Sequence, residues 1–175
     1  SATLSFVDGS SDVVLDNTYK EYVFTFNNIH PSADQEDLQF NMSADSGSNY
    51  NVTKTTTAFR AFHNEAGNDT NLSYHTGEDL AQGTGFQSIA YETDNANDSG
   101  ISGSLHLFNP SSTTFVKHFL AQTSSCLDGG ATYGIYNLNF FTAGYGNTTS
   151  AVDAIRFQMS SGNIDAGDIC LYGIA

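Results

Sequence analysis

The sequence has very little positive charge. Apart from five histidines, its only basic side chains are Lys20, Lys54, Arg60, Lys117 and Arg156, against 19 Asp and Glu, for a net charge of −14. Phosphate backbones and anionic bilayers are held by clustered Lys and Arg. No such stripe exists here, so nucleic acid and membrane surfaces are excluded as direct partners. No apolar run approaches the eighteen residues of a spanning helix, and no basic start leads into an apolar stretch, so neither a membrane segment nor a signal peptide is expected. Cys126 and Cys170 are the only cysteines and form no CxxC or Cys/His cluster. They are expected to be free thiols of a protein made in a reducing cytoplasm, a disulfide being the alternative. Trp is absent and Pro occurs only at positions 31 and 110. Windows rich in Ala, Leu, Glu and Lys are missing too, and no i, i+3, i+4, i+7 apolar stripe outlasts two turns, which excludes a helical fold.

What the chain does have is 13 Phe, nine Tyr and apolar residues at every second position. Phe24 and Phe26 alternate with Val23 and Thr25; Leu38, Phe40 and Met42 do the same in the next run. Leu105 and Leu107 share a face of "ISGSLHLFN", and "YNVTKTTTAFRAFH", "TFVKHFLAQ" and "TYGIYNLNFF" are rich in β-branched and aromatic residues. Period two is the signature of strands, because successive side chains point to opposite faces of a sheet. Clusters of Gly, Asn, Asp and Ser separate the runs. Eight to ten strands joined by turn chemistry define an all-β fold: a single antiparallel β-sandwich, jelly-roll-like, in one domain over residues 1–175. Strand should exceed about a third of the residues and helix stay below about a tenth. At this length a folded surface of about 8,000 Å² is expected, with roughly 70% of the extended-chain surface buried. The expected core is Phe24, Phe26, Phe40, Leu105, Leu107, Ile155, Phe157, Ile169 and Leu171. The last run, "AIRFQMSSGNIDAGDICLYGIA", holds two alternating segments hinged at Ser161-Gly162-Asn163, so the chain should finish within its own sheet. One short helical turn is expected at Ser32–Glu36, with Ser32 as cap and Gln35 in the reciprocal capping position.

The residues that carry chemistry do not assemble into a motif. GxSxG, a P-loop, GxGxxG and the short His spacings of zinc sites are all missing. "SSCLDGG" around Cys126 has no surrounding motif. His106 and His118 could face one another across a hairpin, but half-buried sheet residues are the reading adopted for them. The acidic stretches "ETDNANDSG" (Glu92–Gly100) and "HNEAGNDTN" (Glu65, Asp69) invite calcium, yet the EF-hand pattern fails at Ala96 and at Leu105. They read as solvated turn tips. Tyr133, Tyr136, Tyr145 and Tyr172 could stack on sugars, although core packing accounts for most aromatics. No enzymatic activity is therefore expected, and no catalytic, cofactor-binding or metal-ligating residue is assigned.

Three stretches, "NYNVTKTTTAFRAFHNEAG", "LHLFNPSSTTFVKHF" and "IRFQMSSGNIDAGDICLYGI", resemble segments of virion structural proteins of tailed phages, especially marine ones; the last is the most specific. The resemblance implies a β-sandwich displayed on the outside of a virus particle and brings no catalytic residues with it. The resemblance is compatible with the capsid exterior or a tail or fibre, and the reading adopted is an outer capsid decoration (cement) protein that docks on the assembled shell. Its partners would be the major capsid protein or other virion proteins, and it would be a homo-oligomer, a trimer among the options. A tail or neck fibre protein, or a receptor-binding adhesin domain for a host glycan, is the alternative; a carbohydrate-binding module without a viral role is the third reading. The missing heptad shaft, collagen-like shaft and long N-terminal anchor favour decoration. Attachment is expected to use apolar burial, sheet edges and Tyr-bearing faces, helped by Lys54, Arg60, Lys117 or Arg156 pairing with shell carboxylates.

Overall fold

A computed structural model describes residues 1–175. Eleven strands follow in chain order: β1 (Thr3–Val7), β2 (Glu21–Pro31), β3 (Glu36–Ser43), β4 (Lys54–Asn64), β5 (Thr70–Tyr74), β6 (Gln87–Thr93), β7 (Ile101–Phe108), β8 (Lys117–Asp128), β9 (Ile135–Gly146), β10 (Ala154–Met159) and β11 (Ile164–Ile174). They make up 55% of the chain; helix contributes 2%, as the single turn α1 (Gly130–Tyr133) between β8 and β9. Two sheets form, a four-stranded one in the order β1-β10-β3-β6 and a seven-stranded one in the order β11-β2-β7-β8-β9-β4-β5. Every pairing is antiparallel.

This order is a jelly roll with one position expanded. If the meander β7-β8-β9 is counted as a single strand, the sheets run first-eighth-third-sixth and second-seventh-fourth-fifth, the wrapping of an eight-stranded jelly roll. Three antiparallel strands leave the chain travelling in the direction that one strand would have given. The meander therefore widens the second sheet without changing the topology, and β11 adds a further strand beside β2.

The period-two pattern places the core between the sheets. Phe24, Phe26, Phe40, Leu105, Leu107, Ile155 and Phe157 are all buried, and the total accessible surface is 7993 Å². Phe157 of β10 is the hub. Its ring meets Phe6 of β1 at 6.1 Å, Phe24 and Phe26 of β2 at 5.2 and 5.3 Å, and Phe40 of β3 at 6.4 Å. Three strands of the small sheet thus close on one strand of the large sheet through aromatic contacts, each such pair worth roughly 0.5–1.5 kcal/mol beyond the area it buries.

Four local expectations are corrected. Ile169 and Leu171 face the core but are only partly buried, because β11 is the outermost strand of its sheet. Ser32–Glu36 is not helical. Gln35 takes a left-handed φ of 57°, and Ser32 Oγ accepts a hydrogen bond from Asn163 N at 2.8 Å instead of capping a helix. Ser161–Asn163 is not a hairpin hinge, since β10 and β11 lie in different sheets and this segment carries the chain across the sandwich. Gly162 there has φ 70°, and a Cβ would sit 2.8 Å from Ser32 Oγ. Finally, β8 begins at Lys117, so residues 109–116 form a long connection and His106 pairs with Leu120 rather than with His118.

Replacing Phe157 with Ala should cost about 3–5 kcal/mol in chemical denaturation, the range for a large aromatic removed from a packed core. L120A, on the outward face of the large sheet, should cost far less.

Candidate interaction face

On each strand of the seven-stranded sheet alternate residues turn away from the core, and the register aligns them in rows. One row reads Tyr172, Val23, His106, Leu120, Ala143, Thr57, and the next Cys170, Thr25, Ser104, Gln122, Phe141, Phe59, Tyr74. The composition of this face is at odds with that of the chain. Outward positions of β7, β8, β9, β4 and β5 include no Lys, Arg or Glu and a single Asp, Asp128, at the very end of β8. The other carboxylates of the face, Glu21, Asp165 and Asp168, lie at the margin formed by β2 and β11. Glu21 Oε1 is 2.6 Å from His106 Nδ1, and Asp165 Oδ1 is 2.8 Å from His30 Nδ1.

In place of charge the face presents Thr, Ser, Asn and Gln interspersed with large apolar groups. Phe59 and Phe141 stack at 4.9 Å, and Phe59, Leu120, Tyr74 and Leu72 are 39%, 42%, 51% and 70% exposed. Beside the short side chains of Ala143 and Thr57 lies a groove of 420 Å³, walled by Phe108, His118, Leu120 and Tyr145. Six interstrand spacings of about 4.8 Å and five rows about 6.7 Å apart give a field of roughly 800 Å². That equals about one partner's share of a standard-size protein interface.

Three of the four basic residues expected to reach outward do not. Lys54 and Lys117 are fully buried; both pair with Gly146, from opposite sides, and point between the sheets. Lys54 Nζ donates to Asn41 Oδ1 at 2.5 Å and to Val52 O at 2.9 Å, and Lys117 Nζ to Phe115 O at 2.6 Å and Thr148 O at 3.3 Å. Neither ammonium has a carboxylate partner, and burial lowers the pKa of both, that of Lys54 to about 8. Arg156 lies 3.9 Å over the Tyr50 ring and donates from Nε to Ser5 Oγ. Arg60 turns inward between Tyr91 and Phe62, at 4.7 and 5.4 Å. Burial removes Lys54 and Lys117 from ion pairing with a shell and Arg60 is engaged inward, while Arg156 is half-buried on the outward face of the small sheet.

Arg60 belongs to a polar cluster between the sheets that has no signature in the sequence. Asp37 accepts from Ser88 Oγ and from Glu92 N, and burial, with Glu78 beside it, pushes its carboxyl up to about 6. His75 packs on Tyr91 at 4.5 Å, and the Tyr91 hydroxyl donates to Glu92 Oε1. A cavity of 210 Å³ lined by Arg60, Phe62, Glu92, Leu127, Tyr136 and Leu138 adjoins it. Its members come from β3, β4, β6 and the 75–80 loop, so only the fold assembles them.

The remaining sequence candidates are scattered. His118 packs against Tyr145 with ring centroids 5.9 Å apart and the planes tilted by 53°, while His106 is bound to Glu21. Tyr145 and Tyr172 share the outward face but stand four strands apart; Tyr136 packs on Phe62 and donates to Asp69 Oδ2, while Tyr133 lies on α1. Cys126 and Cys170 are free thiols, partly exposed rather than buried. Glu92 and Asp94 of the first acidic stretch turn to different partners, Tyr91 and the Asp128 amide, and Asp69 of the second is held by Tyr136.

Comparison with known proteins gives no assignment: no family model matches the sequence, and no curated protein or solved structure matches it significantly.

The Lys54 ammonium has a pH consequence. Its folded pKa lies below the ordinary value of 10.5, so the unfolded chain binds more protons between about pH 8 and 10.5, and stability rises with pH across that window. Denaturation at increasing pH should show a gain on the order of 1–3 kcal/mol that disappears in K54M, while K20M, at an exposed site, retains it.

Proposed function

We propose that this protein is a structural component of a tailed-phage virion that decorates the outside of the assembled shell, and that it docks through the outward face of its seven-stranded sheet. The observation that carries this reading is the exclusion of charge from that face in a chain of net charge −14. A contact surface that must shed its water is depleted in Lys, Glu and Asp at its centre and enriched in aromatic anchors, and this face shares both features. The three stretches that resemble phage virion proteins form β4, the β7–β8 hairpin and the β10–β11 segment, and all three supply residues to this face: Thr57 and Phe59, His106 and His118, Cys170 and Tyr172. A jelly roll is compatible with a place in a virion but also hosts unrelated functions, so it adds little by itself.

Attachment on this reading is dominated by apolar burial. The shell would offer a complementary uncharged surface, while the acidic turns at the sides remain in water and keep particles apart by like-charge repulsion. Repetition over a lattice, or self-association into a trimer, would add avidity to a modest single contact.

Purified particles sedimented in about 1 M NaCl, where screening falls to about 3 Å, should retain the protein. L120E and F59E, each placing a carboxylate on the face, should abolish co-sedimentation without lowering thermal stability appreciably. Quantitative loss of the wild-type protein at high salt from intact capsids would overturn apolar docking. A dozen copies per virion instead of hundreds, or binding to host glycan without particles, would place the protein in a tail or adhesin role.

A further inference from the structure

Between the inward side of β4, β8 and β9 and the edge strand β6 lies the cavity of 210 Å³ lined by Arg60, Phe62, Glu92, Leu127, Tyr136 and Leu138. Of these only Leu138 is fully buried and the other five are half-buried, so the cavity opens to solvent. We propose that it binds a free α-amino acid with an apolar side chain, whose carboxylate is held by Arg60 and whose ammonium is held by Glu92. Arg60 supplies the first observation. Lys54, Lys117 and Arg156 each donate to oxygens of the protein, whereas Arg60 forms no ion pair and its buried Nε has no hydrogen-bond partner. The Tyr91 and Phe62 rings lie 4.7 and 5.4 Å from its guanidinium carbon, so aromatic contacts fix the group in place and leave its N–H donors free. Buried donors without a protein partner are rare and call for an explanation, and a bound acceptor supplies one. A planar fork of such donors matches a carboxylate.

Glu92 supplies the second. Glu36 and Leu38 of β3 pair with Thr93 and Ala90, so Tyr91 and Glu92 together oppose Asp37 in a bulge, and Glu92 takes a left-handed φ of 42°. Bulges re-aim side chains, and a left-handed backbone at a residue such as Glu is a strained conformation of the kind that clusters at binding sites. Here it is held by the Glu92 amide, which donates to Asp37 Oδ1, and the carboxylate lines the cavity, where Oε1 accepts from the Tyr91 hydroxyl. Arg60 and Glu92 share the cavity without forming an ion pair with each other. Opposite charges that flank an apolar cavity unpaired suit a zwitterion, which satisfies both. The wider charge balance disfavours a plain anion: Arg60 is the one cation of the cluster, against Glu92, Asp37 and Glu78, while burial lowers the pKa of His75 and keeps it neutral. An amine alone would leave the guanidinium unpaired and facing a like charge. Phe62, Leu127 and Leu138 wall the space for an apolar side chain, and the volume lies below the roughly 300 Å³ at which pockets for drug-sized ligands begin, so the occupant is small. The site does not rest on shell docking. Arg60 pairs with buried Phe140 on the inward side of the sheet, opposite to the face that carries Phe59 and Leu120.

The test uses the purified protein with no particles present, so its outcome is independent of shell docking. Leucine titrated by calorimetry at neutral pH should bind saturably at one site, with a dissociation constant on the order of 10⁻⁵–10⁻³ M, the range of a small ligand. Glycine lacks the apolar body, isocaproate the ammonium and isoamylamine the carboxylate. Each should bind at least about tenfold more weakly, since each leaves a wall or a charge of the site unpaired. R60M should abolish leucine binding. E92Q keeps the contact with Tyr91 but not the charge, and L127F fills the cavity without touching either charge. Both should weaken leucine by a similar factor at a melting temperature close to that of the wild type, which keeps the test decisive if R60M fails to fold. No saturable leucine binding, equal binding of isocaproate or isoamylamine, or binding unchanged in both E92Q and L127F would overturn the site. A saturable response to glucose in place of leucine would overturn it equally.

Discussion

The packing of Phe157 against rings from three other strands is the contact on which the rest of the molecule depends. It joins β1, β2, β3 and β10, and so fixes the small sheet against the large one at their centre. A one-residue slip of β10 would expel Phe157 and bring Arg156 inward, so this ring also sets the register of its strand. With that face inward, Arg156 emerges on the other side, over Tyr50 and beside Ser5. The same parity argument runs through β2, β7, β8, β9 and β4. The outward face of the large sheet is therefore a consequence of the core: once the apolar residues are packed, its composition is whatever the alternate positions hold.

Those alternate positions hold almost no charge, and the acidic residues are in the turns for a local reason. Asp8 accepts from the Leu15 amide, Asp16 from Thr18, Asp45 from Asn49 and Asp153 from Ser46. Carboxylates that accept such bonds are favoured in the ionised form, and the pKa values of Asp16 and Asp45 are lowered accordingly. Turn chemistry in this chain is largely done by Asp, and the negative charge accumulates at the ends of the sandwich as a by-product. The wide sheet between those ends is left to Thr, Ser, Asn and aromatic residues, which suit a pleated surface. A strongly acidic protein can therefore carry a neutral contact face with no cost to its solubility.

Much of this was legible in the sequence, and the failures have identifiable causes. Seven of the nine expected core residues are fully buried because period two reports parity directly; Ile169 and Leu171 have the right parity but lie on an edge, which alternation does not encode. Lys54 is instructive. Counting back from buried Ala58 through Thr56 places it inward, so its burial was present in the pattern and was masked only by the usual exposure of lysine. The His106–His118 pairing failed on loop length: eight connecting residues shift the register by two. The strands β1, β5 and β6 are short or irregular and gave no clear alternation. The cluster of Arg60, Asp37, His75 and Tyr91 joins segments far apart in the chain, and no local spacing could announce it.

The distribution of charge also bears on which partner suits the sheet face. Two copies meeting face to face would bring their acidic ends, and the Glu21, Asp165 and Asp168 margins, into proximity. Each copy carries a net charge of −14, and screening at physiological ionic strength extends only about 8 Å, so charges at the rim of such a pair would still repel. A neutral or locally basic surface meets no such opposition, and repulsion at the rim then acts as selection against self-pairing through this face. Copies arranged side by side on a common support would hold their acidic ends apart while all faces point the same way. An array on a larger assembly, and not a closed face-to-face dimer, is the arrangement that this charge pattern favours.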